Sequence, residues 1–212
     1  MTSDRSSSED TKVERPNRIE VCGGIAAGKT TLARVMQHAG HNAVFENFRL
    51  NPFIEKFYSA PSFYSFETEI SFLLQHYSQI KTEGELKGGV FCDYSLALDC
   101  AYAQVTLTQA QLEIFRVVHQ GVTSEVGAPG LLIHLRCAPT TQLRRIRERN
   151  RVMENSISLA YLDSINCALE ELVKPTSWNG RILEIDSERF DFADNNTDQL
   201  KVVSMIHDAV SI

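Results

Sequence analysis

Gly23-Gly24-Ile25-Ala26-Ala27-Gly28-Lys29-Thr30 is the stretch from which the rest of the chain is read. It fits G-x-x-x-x-G-K-[ST], the loop that cradles phosphates. Gly23 and Gly28 let the backbone turn and approach an anion with no Cβ in the way. A helix starting near Gly28 aims its free N–H groups and the positive end of its dipole at that anion. Lys29 reaches the β- and γ-phosphates, and the Thr30 hydroxyl ligates Mg²⁺. The flanks agree: Arg18-Ile19-Glu20-Val21-Cys22 reads as a short strand, and Thr31-Leu32-Ala33-Arg34-Val35-Met36 as an apolar-periodic helix. Gly24, Ile25, Ala26, Ala27 and Thr31 complete the expected nucleotide-binding set. A Gly-rich turn with an incidental lysine is the plainer alternative, and the strand and helix around it weigh against it.

Outward from this loop, short apolar runs alternate with helical patterns. Strands are predicted at 18–22, 42–46, 89–92, 131–135 and 181–185. Helices are predicted near 29–39, 62–82, 95–105, 109–126, 139–150, 156–173 and 197–210. Such alternation predicts an α/β fold, a five-stranded parallel sheet with helices on both faces. Ile70, Phe72, Leu73, Leu74, Tyr77 and Ile80 make 62–82 read as a largely buried helix. Residues 1–17 are Ser-rich and charged and read as a disordered tail, which leaves 18–212 as one domain. The 212 residues carry a net charge of −6, so a nucleic-acid polymer is not an expected partner. No apolar run is long enough for a transmembrane helix or placed as a secretory signal, so a cytoplasmic location is expected. Cys22, Cys92, Cys100, Cys137 and Cys167 are odd in number and form no C-x-x-C, so they read as buried thiols.

Three further groups carry chemistry. The second strand runs into Glu46, and ligands of parallel sheets gather at the carboxyl ends of strands. A carboxylate there takes a proton from an attacking hydroxyl; a solvated loop glutamate is the alternative. The third strand ends in Asp93, the usual form of a Walker B carboxylate that holds Mg²⁺. A cap for the helix starting at Ser95 is the alternative. Finally, 144–151 holds five arginines in eight residues. Arg145 and Arg149 share one helical face, and Arg147 and Arg151 another. An Arg-rich lid over the phosphates fits the cationic demand of phosphoryl transfer. A basic surface helix is the alternative, and Arg144 and Arg147 suit the surface best.

Together these positions resemble the deoxynucleoside kinase family, over about residues 18 to 186. The resemblance implies a P-loop kinase fold with an Arg-rich lid, ATP as phosphate donor and Mg²⁺. It implies a deoxynucleoside acceptor and a homodimer built through helices, for which Leu107, Leu112, Ile114 and Phe115 offer an apolar face, with core packing the alternative for these four. Glu46 falls where the family has its general base. Asn51-Pro52 and Phe57-Tyr58 match a family run, which implies that Tyr58 bonds the sugar 3′-hydroxyl. Asp93-Tyr94-Ser95 followed by Asp99 matches an Asp/Glu-Arg-Ser motif and its aspartate. Arg145, Arg149 and Arg151 fall on lid arginines, and Glu154 on a second 3′-hydroxyl ligand.

The chain departs from the family at two places. Tyr94 stands where an arginine bonds the 5′-oxygen and phosphates; a tyrosine there still has one hydrogen bond to donate. Glu69 stands where a glutamine reads the base, and His76 where an arginine follows. Glutamine both donates and accepts, whereas ionised glutamate only accepts. Two acceptors match the N1–H and N2–H₂ donors of guanine, so a purine deoxynucleoside, deoxyguanosine first, is expected. A Glu69 that is protonated or paired with His76, with no direct part in base choice, is the counter-reading. The expected reaction is therefore γ-phosphoryl transfer from ATP or another nucleoside triphosphate to a deoxynucleoside 5′-hydroxyl. A nucleoside monophosphate kinase and a nucleotide-binding scaffold without catalysis are the alternatives.

Overall fold

A computed structural model describes residues 18–83 and 89–211. The expected tail at 1–17 lies outside the described residues. In chain order the elements are β1 (Arg18–Cys22), α1 (Lys29–His38), β2 (Ala43–Val44), a 3₁₀ turn (Phe48–Leu50), α2 (Ile54–Ser59), α3 (Pro61–Glu83), β3 (Val90–Cys92), α4 (Leu96–Thr106) and α5 (Gln109–Val126). Then follow β4 (Leu131–Arg136), α6 (Pro139–Arg149), a second 3₁₀ turn (Val152–Glu154), α7 (Leu159–Val173), β5 (Ile182–Asp186) and α8 (Asn196–Ser211). The five strands form one sheet in the order β2-β3-β1-β4-β5, and every pairing is parallel.

Alternation along β1 divides the core. Ile19 and Val21 face α1 and α8, packing with Leu32, Met36, Val202 and Ile206. On the opposite face Cys22 packs with α4 and α7, and Cys92 with α3 and α5. Arg18 and Glu20 are buried in β1 and meet their polar demands inside the protein. Arg18 Nε donates to Glu20 Oε1 at 2.7 Å, and its guanidinium donates to the carbonyls of Val126 and Gly127 at 3.0 and 2.7 Å. Glu20 Oε2 accepts from the backbone N–H of Leu96 at 3.1 Å, which ties the start of α4 to the central strand.

Several expectations shift. The strand at 42–46 contracts to Ala43–Val44, an edge strand; the Glu46 N–H leaves the ladder and bonds the Asp93 carboxylate at 2.6 Å. α2 was not expected, because six residues are too few to show a helical period. α7 begins at Leu159, not 156, because the Ser158 side chain caps it by accepting from the Tyr161 N–H. α3 is amphipathic, not largely buried: Leu74 is 47% exposed, and its buried stripe includes Thr68, Glu69 and His76. Of the cysteines, Cys22, Cys92 and Cys137 are buried, while Cys100 is partly exposed and Cys167 exposed. Leu112 and Phe115 are core residues, so they are not free to form an apolar contact face.

Candidate active site

A cavity of about 1050 Å³ opens at the carboxyl ends of the strands. It is lined by Ile25, Ala26, Gly28, Lys29, Thr30 and Thr31 from the loop and the start of α1. Glu46, Tyr58, Glu69, Asp93, Asp99, Arg145, Arg149, Arg151 and Glu154 line it as well. Thus residues from six separate parts of the chain converge on one space. Gly23, Gly24 and Ala27 do not line it. A Cβ on Gly23 would stand 2.7 Å from the Leu135 carbonyl, and one on Gly24 2.3 Å from the Gln142 side-chain nitrogen. Those glycines let the loop lie against β4 and α6.

Beyond β1 the loop turns through Ala26 and Gly28, both at positive φ, and α1 follows. Lys29 Nζ donates to the carbonyls of Gly23 and Gly24 at 2.7 and 3.1 Å. Burial lowers its pKa, against the pull of Glu46 and Asp93. Thr30 Oγ1 donates to Asp93 Oδ2 at 2.8 Å, while Asp93 Oδ1 takes the Glu46 N–H. Burial raises the Asp93 pKa and these two hydrogen bonds oppose the rise. Asp93 does not cap α4; Ser95 does, accepting from the Leu98 N–H at 3.0 Å.

The arginines divide as well. Arg145 turns under the loop, donating to the carbonyls of Ala26 and Ala27 and to Ser187. Arg149 makes a two-pronged pair with Glu154, both bonds at 2.7 Å, and Arg151 joins at 3.4 Å. Arg144 pairs with Glu148 on the surface, and Arg147 is exposed. Residues from Ser187 to Asp194 contribute a further wall. Its Phe192 ring would stand 3.1 Å from a Cβ on Gly28, and Glu188 is fixed by the Ala138 N–H and the Thr141 hydroxyl.

Elsewhere on the cavity wall α3 spaces Glu69, Leu73, His76 and Ile80 along one buried stripe, at helical intervals. This brings Glu69 and His76 to the same wall. Burial pushes the Glu69 carboxyl up to about 8; Thr106 Oγ1, which donates to it at 3.0 Å, opposes that, and Asp99 and Glu46 add to it. His76 pairs with Asp99 and not with Glu69: Nδ1 lies 2.9 and 3.0 Å from the two carboxylate oxygens. The imidazole stacks on Tyr94, centroids 4.1 Å apart and planes within 5°. The Tyr94 hydroxyl is buried, has no nitrogen or oxygen partner and lies against the Cys92 thiol. The hydrogen bond expected of Tyr94 is therefore not offered to the cavity. Burial raises the Tyr58 pKa, and neighbouring Glu154 raises it further. Glu46 is raised by burial, with His76 and then Lys29 opposing. The part played by His76 could not be read from its position alone, since only the folded chain sets Asp99 beside it.

A family model described as deoxynucleoside kinase matches residues 19–211. The chain is 29% identical over 200 residues to the deoxyguanosine kinase of Bacillus subtilis (strain 168), covering 91% of this chain and 97% of that one. It is 28% identical over 179 residues to the deoxyadenosine kinase of Dictyostelium discoideum, covering 81% and 73%. The solved deoxyadenosine kinase of M. mycoides with bound dCTP superposes with a TM-score of 0.76 at 21% identity, over 92% of this chain and 100% of that one. That last likeness supports the fold, and the family match over almost the whole described chain supplies the rest: this protein is an enzyme of the deoxynucleoside kinase family.

Proposed function

We propose that the enzyme moves the γ-phosphoryl group of ATP onto the 5′-hydroxyl of a purine deoxynucleoside, deoxyguanosine before the others. The observation that carries this reading is the character of the acceptor end. Glu46, Tyr58, Glu69 and Asp99 face it, all acidic or neutral, which suits an uncharged acceptor and repels one that already bears a phosphate. Glu46 takes the hydroxyl proton as the bond to phosphorus forms. Lys29 and the loop amides hold the donor phosphates. Thr30 and Asp93, hard oxygen donors side by side at the start of α1, fit Mg²⁺, which neutralises phosphate charge when bound. Among the described residues no cluster of three metal-ligating side chains occurs, in keeping with a Mg²⁺ that takes its other ligands from phosphate and water. α6 and the turn after it act as the lid, with Arg145, Arg149 and Arg151 exchanging protein oxygens for phosphate oxygens. Tyr58 and Glu154 hold the sugar 3′-hydroxyl.

Guanine is favoured because its N1–H and N2–H₂ groups stabilise the ionised carboxylate of Glu69. Burial raises the Glu69 pKa, so guanine binding and ionisation favour one another. The name of the Bacillus subtilis relative points the same way. Among the described residues no helix is long and apolar enough to cross a membrane, and all five cysteines are free, which suits a reducing, cytoplasmic setting. Exposed Ile114 and Val117 on one face of α5 make a homodimer the expected assembly. The test is ADP release over a panel of deoxyguanosine, deoxyadenosine, deoxycytidine and dGMP. The largest kcat/KM is expected with deoxyguanosine. No turnover with any nucleoside while ATP binds would overturn the assignment of this site, and preference for dGMP would overturn the neutral acceptor.

A further inference from the structure

We propose that Thr106 is a positioning residue for base choice: its hydroxyl holds one oxygen of Glu69, so that the other meets the base as an acceptor. This rests on the reading of Glu69 as the group that faces the base. Among the described residues, Thr106 alone gives the Glu69 side chain a hydrogen bond, with Oγ1 lying 3.0 Å from Oε1. Glu69 is 4% exposed and still lines the cavity, and its Oε2 has no hydrogen-bond partner among the described residues. Thr106 is the last residue of α4 and does not itself line the cavity. It therefore acts on a ligand through Glu69.

The Thr106 hydroxyl has one proton and two acceptors within reach. Besides Glu69 Oε1 at 3.0 Å, the Tyr102 carbonyl one turn back lies at 2.9 Å. An ionised Glu69 draws that proton, because a hydrogen bond to a charged acceptor is about twice as strong as one to a neutral acceptor. A neutral Glu69 reverses the bond. Its Oε1–H then donates to the Thr106 oxygen while the Thr106 hydroxyl donates to the Tyr102 carbonyl, so all three groups stay paired. In either state Oε1 is held, and Oε2 keeps its lone pairs for a ligand. Guanine brings donors to it, N1–H and N2–H₂, whereas adenine brings an acceptor at N1. A carboxylic acid free to turn would serve adenine instead, with O–H towards N1 and C=O towards the 6-amino group. Thr106 denies the base that arrangement, so the site rejects one purine by a bond left unmade as well as selecting the other by bonds made.

The test is kcat/KM for deoxyguanosine and for deoxyadenosine in wild type, Thr106→Val and Thr106→Ser. In Thr106→Val the ratio of deoxyguanosine to deoxyadenosine should fall roughly tenfold, through loss with deoxyguanosine and none with deoxyadenosine, while KM for ATP is unchanged. Thr106→Ser keeps the hydroxyl and should bring the ratio back to within about twofold of wild type. A ratio that Thr106→Val leaves unchanged, or an equal fall with both nucleosides, would overturn the proposal. Should that variant not fold, Thr106→Cys takes its place, since a thiol is only a weak donor. A fall in the ratio of about threefold or more then supports the role, and a smaller one ends it. Glu69→Gln separates the two assignments. If it leaves the ratio unchanged, the reading of Glu69 has failed; if it lowers the ratio while Thr106→Val does not, only the role of Thr106 has.

Discussion

The two ends of the cavity are built from different materials. In the proposed assignment the donor end has loop amides, one lysine and the beginning of α1, with Thr30 and Asp93 beside them. At the acceptor end they are side chains drawn from α2, α3, α4 and the turn Val152–Glu154: Tyr58, Glu69, His76, Asp99 and Glu154. A backbone cradle needs only a few fixed residues, because any sequence supplies amides. A cradle of side chains changes with each substitution. In the proposed function the departure at Glu69 bears on which nucleoside is taken, while that at Tyr94 replaces an arginine that the family sets beside the 5′-oxygen and phosphates.

The sharpest way to break this comparison is at the donor end. Lys29→Met should lower kcat on the order of 10³-fold with any deoxynucleoside, since a cation on the transferred group is lost whatever the acceptor. Single-turnover rates over the nucleoside panel measure it. A loss confined to one nucleoside would mean that the two ends are not separable. Glu46→Gln comes next, with kcat down about 10²- to 10⁴-fold and ATP affinity, by calorimetry, unchanged.

The same contrast explains what could be read from the sequence and what could not. The fingerprint at 23–30, the alternation of strands and helices, and carboxylates at strand ends are local patterns. They placed the sheet, Asp93 and Glu46 without the fold. The partner of His76 is set by α3 packing on α4, a contact between positions 76 and 99 that no local spacing encodes. The charge state of Glu69, ionised or protonated, stays open in the sequence for the same reason. Ionised glutamate was the expectation, yet its proton affinity depends on burial and on Asp99 and Glu46, which only the folded chain brings near. α2 and the inward turn of Tyr94 escaped likewise, one too short to show a period and the other indistinguishable from an exposed tyrosine.

Glu69 offers a smaller effect that sharpens the contrast. Glu69→Gln fixes one donor and one acceptor, so the ratio of deoxyguanosine to deoxyadenosine kcat/KM should fall by roughly tenfold or more. In wild type that ratio should rise with pH through about 8, as the ionised form gains. Stability carries the opposite sign. A carboxyl held at about 8 binds its proton more tightly when folded, so its contribution is full at low pH and fades as pH rises towards 8. Glu69→Gln should therefore raise Tm at pH 8, by about 2–4 °C for each kcal/mol relieved, with the gain shrinking towards pH 5. A ratio insensitive to both pH and substitution would place the base elsewhere.

The smallest expected effect is at Tyr94. Its hydroxyl has no nitrogen or oxygen partner, so Tyr94→Phe removes a buried polar group that makes no conventional hydrogen bond. Such a deletion is close to neutral in stability, within about 1 kcal/mol, and the ring under His76 stays in place. Turnover should change less than about twofold, with the pH profile unmoved. Tyr94→Leu removes the ring as well, and should lower Tm, because His76 loses the surface on which it stacks. A Tyr94→Phe variant that loses about tenfold in kcat with unchanged Tm would show that the phenol reaches the 5′-oxygen during turnover. The acceptor end would then hold a hydrogen-bond donor at position 94, in the place where the family has an arginine.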